Sequence, residues 1–155
     1  MNRWFLMCLM VISITACWGG PDPIQEVNKR VATIDAHIGS GDYPLIMSKE
    51  ILVTEGRPPE FMFYYDPSGL VATEVSVGHE TWLIKYRYYF YPNGQLMKYI
   101  EEIEGRPDNP PKLAIIYGAD GKIIWSNTDE VKAGPEQIKG LYNSYQDLKR
   151  MYQGY

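Results

Sequence analysis

Few residues in this chain are of a type that does chemistry, and their spacing narrows the choice further. There are two histidines, His37 and His79. Neither has a cysteine, a second histidine or a carboxylate at ligand spacing, so neither points to a metal centre. His37 falls at the end of a helical pattern, where partial positive charge suits the helix dipole; His79 falls in a turn. Glu101, Glu102 and Glu104 form an acidic cluster. On a strand Glu102 and Glu104 share a face, and two carboxyls held across a cleft are what glycoside hydrolysis needs. The same glutamates also suit a charged edge strand that discourages aggregation. Arg57 and Arg106 each precede a proline and would place guanidiniums at one end of a sheet, either as an anion clamp or as a repeated structural corner. No serine stands in a nucleophile-elbow setting. Gly19-Gly20 and Gly39-Ser40-Gly41 lack the strand–glycine–helix context of a phosphate loop. That leaves Lys85, Arg87, Tyr89 and Tyr91, which alternate on one side of a long strand and read as a partly wet, aromatic and basic face, either an exposed binding surface for a protein, a glycan or an acyl chain or further core covered by the second helix.

The elements that position these residues turn on three similar bends: Asp66-Pro67-Ser68-Gly69, Tyr91-Pro92-Asn93-Gly94 and Gly118-Ala119-Asp120-Gly121. Each ends in glycine after a small polar residue, the chemistry of a type I turn closed by a left-handed residue. Three hairpins are therefore expected between Phe61 and Asn127. Phe61–Tyr65 is aromatic and returns through Leu70–Val77. Thr81–Tyr91 is the longest strand; Trp82, Ile84, Tyr86, Tyr88 and Phe90 point to the core, and Leu83, Lys85, Arg87, Tyr89 and Tyr91 point the other way. Its partner, Gln95–Glu104, alternates poorly, and its buried side stays open. Counting from each turn glycine places Tyr65, Phe90, Tyr117, Val71, Leu96 and Ile123 together on the core face. Tyr43–Met47 and Ile51–Glu55 are further strand candidates. Glu104-Gly105-Arg106-Pro107 copies Glu55-Gly56-Arg57-Pro58, and the match continues into the following strand, a two-copy internal repeat.

Two helices flank the strands. Asp22 is an N-cap and Pro23 a first helical residue. Ile24, Val27, Val31, Ile34 and Ile38 form one apolar stripe, ended by Gly39-Ser40-Gly41. Gln25, Glu26, Asn28, Lys29, Arg30 and Asp35 make the polar face and read as solvated. A second helix starts at Gly134-Pro135, with Ile138, Leu141, Tyr142, Tyr145, Leu148 and Tyr152 as its stripe. The fold class is α+β: an antiparallel β-meander of about seven strands with N- and C-terminal helices packed on it, both preferred on one face to give two layers.

At the start of the chain, Arg3 precedes the apolar run Trp4–Ile14, which is short for a membrane span. Ile14-Thr15-Ala16-Cys17 then resembles the lipobox of bacterial lipoproteins. The resemblance implies that residues 1–16 are a removed signal peptide, that Cys17 becomes a lipidated N-terminus, and that 17–21 is a short tether to a single domain, 22–155. Trp18 in place of aspartate looks like the outer-membrane sorting pattern of Gram-negative lipoproteins, on the periplasmic side. The only cysteines are Cys8 and Cys17, so processing would leave no thiol for a disulfide, metal or nucleophile. Separately, Tyr89-Phe90-Tyr91-Pro92-Asn93-Gly94-Gln95-Leu96 resembles the hairpin repeat of MORN-type proteins, which implies a binding or scaffolding module.

A formal charge of −4 argues against nucleic acid as a partner. The function expected is a lipid-anchored envelope protein that binds or helps assemble another envelope component. It is not an enzyme, has no cofactor or metal, reaches the membrane through Cys17, and has a protein partner. Lys85, Arg87, Tyr89, Tyr91, Arg57 and Arg106 are the binding candidates. Two alternatives are an inhibitor or immunity-type protein presenting the Arg106–Pro111 loop to a hydrolase, and a small hydrolase using Glu102 and Glu104.

Overall fold

The structure is a computed structural model, and it describes residues 20–48, 60–78, 80–108 and 110–129. Cys17 and the residues before it, Arg57, His79, the strand expected at Ile51–Glu55 and the helix expected from Gly134-Pro135 lie outside those residues.

Helix α1 spans Pro23–Ser40. Asp22 caps it by accepting the Ile24 N–H at 3.0 Å, and Pro23 sits where a missing N–H costs nothing. At its other end Gly41 takes the left-handed conformation, φ +75°, which lets its N–H reach the Ile38 carbonyl at 3.1 Å. Seven strands follow: β1 Leu45–Ser48, β2 Glu60–Asp66, β3 Gly69–Gly78, β4 Leu83–Phe90, β5 Leu96–Glu104, β6 Leu113–Tyr117 and β7 Ile123–Ser126. They form one sheet in strict sequence order, antiparallel throughout. The molecule is thus α+β, an antiparallel meander with a helix on it.

The three bends hold the hairpins through glycine at positive φ, +128° at Gly69, +80° at Gly94 and +78° at Gly121. The last two bends are copies of each other. Tyr91 N–H bonds Gln95 O and Gly94 N–H bonds Tyr91 O; Gly118 N–H bonds Lys122 O and Gly121 N–H bonds Gly118 O. Asn93 and Asp120 fill the same role, each accepting at 3.1 Å from the N–H two residues on. Gly94→Val is expected to cost about 1–2 kcal/mol, because a β-branched residue is strained in left-handed backbone. The denaturation midpoint measures this; a loss under about 0.5 kcal/mol would mean the bend tolerates a Cβ.

Just beyond each bend the ladder carries one extra residue. Tyr65 pairs Leu70 but Tyr64 pairs Ala72, leaving Val71 over. In the same way Met97 is left over between β4 and β5, and Ile124 between β6 and β7. Such a bulge turns two successive residues toward one side of the sheet. Val71 and Ala72 both pack with α1, as does Met97.

The sheet separates two apolar clusters. One holds Phe63, Leu70, Val75, Tyr88, Phe90, Leu96, Tyr99, Ile115 and Tyr117, with Tyr65 and Tyr86 against it. The other holds Val27, Val31 and Ile34 of α1 with Val71, Ala72, Tyr89, Met97, Ile100 and Ile116. Two corrections to the expected core follow. Val71 lies on the α1 side, because the first loop is one residue shorter and Gly69 itself enters the ladder opposite Asp66; Leu70 takes the place assigned to Val71. Ile123 is 42 % exposed, since β7 is the last strand of the sheet order. The side of β5 left open is resolved by its bulge: Leu96 and Tyr99 face the first cluster, Met97 and Ile100 face α1.

Candidate binding cleft

Lys85, Arg87 and Tyr89 do share one side of β4, opposite Ser76, Glu74 and Ala72 of β3. That side is wet at Lys85 and Arg87 and covered at Tyr89. α1 lies across it, and Tyr89 is only 1 % exposed. A row of Lys, Arg and Tyr reads as wet, but a tyrosine ring buries well when its hydroxyl finds a partner. Tyr89 does so by donating to Asp35 Oδ1 of α1 at 2.8 Å. Tyr91 is half-buried and donates to the Tyr117 carbonyl at 2.9 Å. Lys85 pairs with Glu104 at 2.8 Å.

The helix does not seal the whole face. Beside its last turn a cleft of about 250 Å³ remains, lined by Asp35 and Gly39 of α1, Tyr64 of β2, Glu74 of β3, and Arg87 and Tyr89 of β4. Its floor is a chain of polar contacts. Arg87 Nε donates to Glu74 Oε2 at 2.8 Å, the Arg87 guanidinium lies close enough to Tyr89 to bear on its hydroxyl, and Tyr89 donates to Asp35 Oδ1 at 2.8 Å. Burial works against the Arg87 charge, but Glu74 and Tyr89 outweigh it and hold the pKa above the usual arginine value. Burial first, then the bond to Asp35, raises the pKa of Tyr89. Burial also raises that of Tyr64, whose hydroxyl has a methionine sulfur, Met62 Sδ, at 3.6 Å as its hydrogen-bond partner. The cleft therefore offers an aromatic wall, acceptors and donors within one small volume.

The sequence had pointed to Arg87 and Tyr89 but not to Asp35 and Glu74. Asp35 belonged to a helix face read as solvated. All six residues of that face are exposed, and two of them also clasp the sheet, Asp35 through Tyr89 and Asn28 by accepting from Lys98 Nζ at 2.8 Å; burial lowers the Lys98 pKa. Glu74 lies across from Arg87 only once the β3–β4 register is known.

The remaining candidates fall elsewhere. Glu102 is held by Lys112 at 3.2 Å and Glu104 by Lys85 at 2.8 Å, so each carboxylate already has a cation and neither faces the cleft lining. Arg106 pairs with the neighbouring Asp108 at 2.8 Å. The bend before it depends on Gly105, φ +81°, where a Cβ would stand 2.9 Å from the Thr81 carbonyl oxygen; this half of the Gly-Arg-Pro repeat is a structural corner. At the end of α1 a second, more open depression of about 530 Å³ is lined by His37, Asp42, Tyr43 and Tyr65. Asp42 Oδ2 accepts from Ser40 Oγ at 2.6 Å and meets His37 Nδ1 at 3.0 Å. These bonds, Ser40 first, lower the Asp42 pKa. Because serine and histidine both engage the carboxylate, this is no relay from serine to histidine, and the trio closes the helix end. Among the described residues no group of three or more His, Cys, Asp or Glu could hold a metal ion, and no helix is long and apolar enough to cross a membrane.

No family model, no curated protein and no solved structure matches the chain.

Proposed function

We propose that this protein is a lipid-anchored component of the bacterial cell envelope that acts by binding, with Cys17 as the anchored residue and the cleft between α1 and β2–β4 as its ligand site. The observation that carries the binding half is the convergence of Asp35, Tyr64, Glu74, Arg87 and Tyr89 on one cavity. Small-molecule and peptide sites have this make-up, a concave apolar wall with a few placed polar groups. The anchoring half rests on Ile14-Thr15-Ala16-Cys17 after a charged start and a short apolar run. The location that fits Trp18 is the outer membrane of a Gram-negative cell, on its periplasmic side.

The same reading extends to the fold. The segment beyond residue 129 carries an apolar stripe from Ile138 to Tyr152, and its helical spacing supports a C-terminal helix packed on the sheet.

Two measurements test the function. Cys17→Ser should abolish metabolic fatty-acid labelling; persistent label would end the lipoprotein reading. A photo-crosslinking residue at Tyr64, at the cleft wall, should capture an envelope component in intact cells, while the same residue at exposed Lys122 should not. Equal capture from both positions would remove the cleft from the proposal.

A further inference from the structure

We infer that the ligand of this cleft is a neutral carbohydrate, bound one ring at a time; the inference rests on the cleft being the binding site. Four observations lead there. The first is size. About 250 Å³ lies below the range of pockets that enclose drug-sized ligands, and it suits one ring with the remainder of the molecule outside.

The second is charge. The lining holds two carboxylates, Asp35 and Glu74, and one guanidinium, Arg87. Glu74 and Arg87 neutralise each other at 2.8 Å, leaving a small negative excess at Asp35. A phosphate or carboxylate would meet that excess with no unpaired guanidinium to offset it, and a neutral ligand carrying both donors and acceptors avoids the penalty.

The third is unused hydrogen-bonding capacity. Arg87 reaches Glu74 through Nε, so its terminal nitrogens keep N–H groups to donate. Asp35 uses Oδ1 on Tyr89, which leaves Oδ2 to accept. The Tyr64 hydroxyl has only a weak thioether acceptor. Adjacent hydroxyls on a sugar ring both donate and accept, and a guanidinium beside a carboxylate answers that alternation. The Tyr64 ring supplies an apolar wall for the C–H face of such a ring.

The fourth is Gly39. It lines the cleft from the last turn of α1, and a Cβ built on it would meet nothing within 4 Å. A side chain can start there without a clash, so a large one can be introduced at the cleft rim without displacing the polar floor.

The test is an NMR titration of the full chain, kept in a zwitterionic detergent free of sugar. The probes are glucose, galactose and N-acetylglucosamine; inorganic phosphate, alanine and ethylammonium are the comparison ligands. At least one sugar should give saturable shifts at the Gly39, Glu74 and Arg87 backbone amides with a millimolar Kd, the range expected of one ring and a few hydrogen bonds. Phosphate and ethylammonium should give none. Gly39→Trp should abolish the shifts while leaving the melting temperature within a few degrees, and Arg87→Lys should weaken binding about tenfold or more by removing the planar fork. The inference falls if no sugar moves those amides at about 50 mM, far above such a Kd. It falls equally if the shifts survive Gly39→Trp, or if an ionic probe is the only ligand. Crosslinking from Tyr64 separates the two proposals: capture of an envelope protein with no response to sugars defeats the carbohydrate assignment alone, and loss of both defeats the cleft.

Discussion

Tyr89→Ala should lower the unfolding free energy by about 3–5 kcal/mol, the cost of removing a large buried ring and leaving a cavity. The ring is 1 % exposed and packs among Val27, Val31, Ile34 and Met97 in the cluster that fixes α1 to the sheet. Its hydroxyl also donates to Asp35. Tyr89→Phe separates the two contributions. It keeps the ring and removes that bond, for a loss of about 1 kcal/mol. Chemical denaturation of the pair measures both. If Tyr89→Ala costs less than about 1 kcal/mol, the ring is not core, and the face of β4 would be open after all.

The second large effect is a loss of the fold at alkaline pH. Several tyrosines are held above their ordinary pKa. Burial pushes Tyr88 up to about 12. Burial first, then the bond to Glu101, raises Tyr99 further, and burial with Asp35 does the same for Tyr89. The protonated phenol is the neutral form, so these shifts favour the folded state while the hydroxyl keeps its proton. Their contribution is fully present below pH 10. It drains away above pH 10, where the unfolded chain gives up protons that the folded chain retains, until the folded pKa is reached. Two units at Tyr88, 7 % exposed, amount to roughly 2–3 kcal/mol. Three such groups together are of the same order as a typical domain stability of about 5–15 kcal/mol, so the fold is expected to be lost as the pH rises from 10 toward the folded pKa values. Tyrosinate absorbance and circular dichroism followed together should show some of the 13 tyrosines ionising near pH 10, and the rest in one step with loss of sheet signal above it. A smooth titration of all of them near pH 10 with the sheet intact would contradict the burial of Tyr88, Tyr89 and Tyr99.

What the sequence made legible was local. Asp22, Pro23 and Gly41 bracket α1, and Gly69, Gly94 and Gly121 mark the three bends, because caps and left-handed positions are set by one or two residues. The inward side of β4 was legible too, since Tyr86, Tyr88 and Phe90 alternate without interruption. The pattern failed at Val71 and along β5, where one unpaired residue resets the alternation. Nothing in a single strand announces such a residue. The cleft was half legible for a related reason. Arg87 and Tyr89 lie on one strand, but Asp35 joins Tyr89 from 54 residues away, and Glu74 joins Arg87 through cross-strand register. A face of Lys, Arg and Tyr is consistent with water or with a helix whose own polar side chains reach down to it.

The strict order of the strands has a consequence for the time course of folding. Each described strand pairs with its neighbours in the sheet order, the ladders from β2 to β5 and between β6 and β7 close over short connections, and the sheet can grow hairpin by hairpin in the direction of synthesis. Short-range pairing of this kind favours rapid folding for an all-antiparallel sheet. The helix is the exception. α1 is made before the sheet, yet its anchors are Tyr89 and Lys98, 54 and 70 residues further on. It therefore waits for β4 and β5 and docks late. The cleft, which exists only between the docked helix and the strands, is formed by that last event, and the rate at which binding competence appears in a refolding experiment will report the docking of α1 and not the assembly of the sheet.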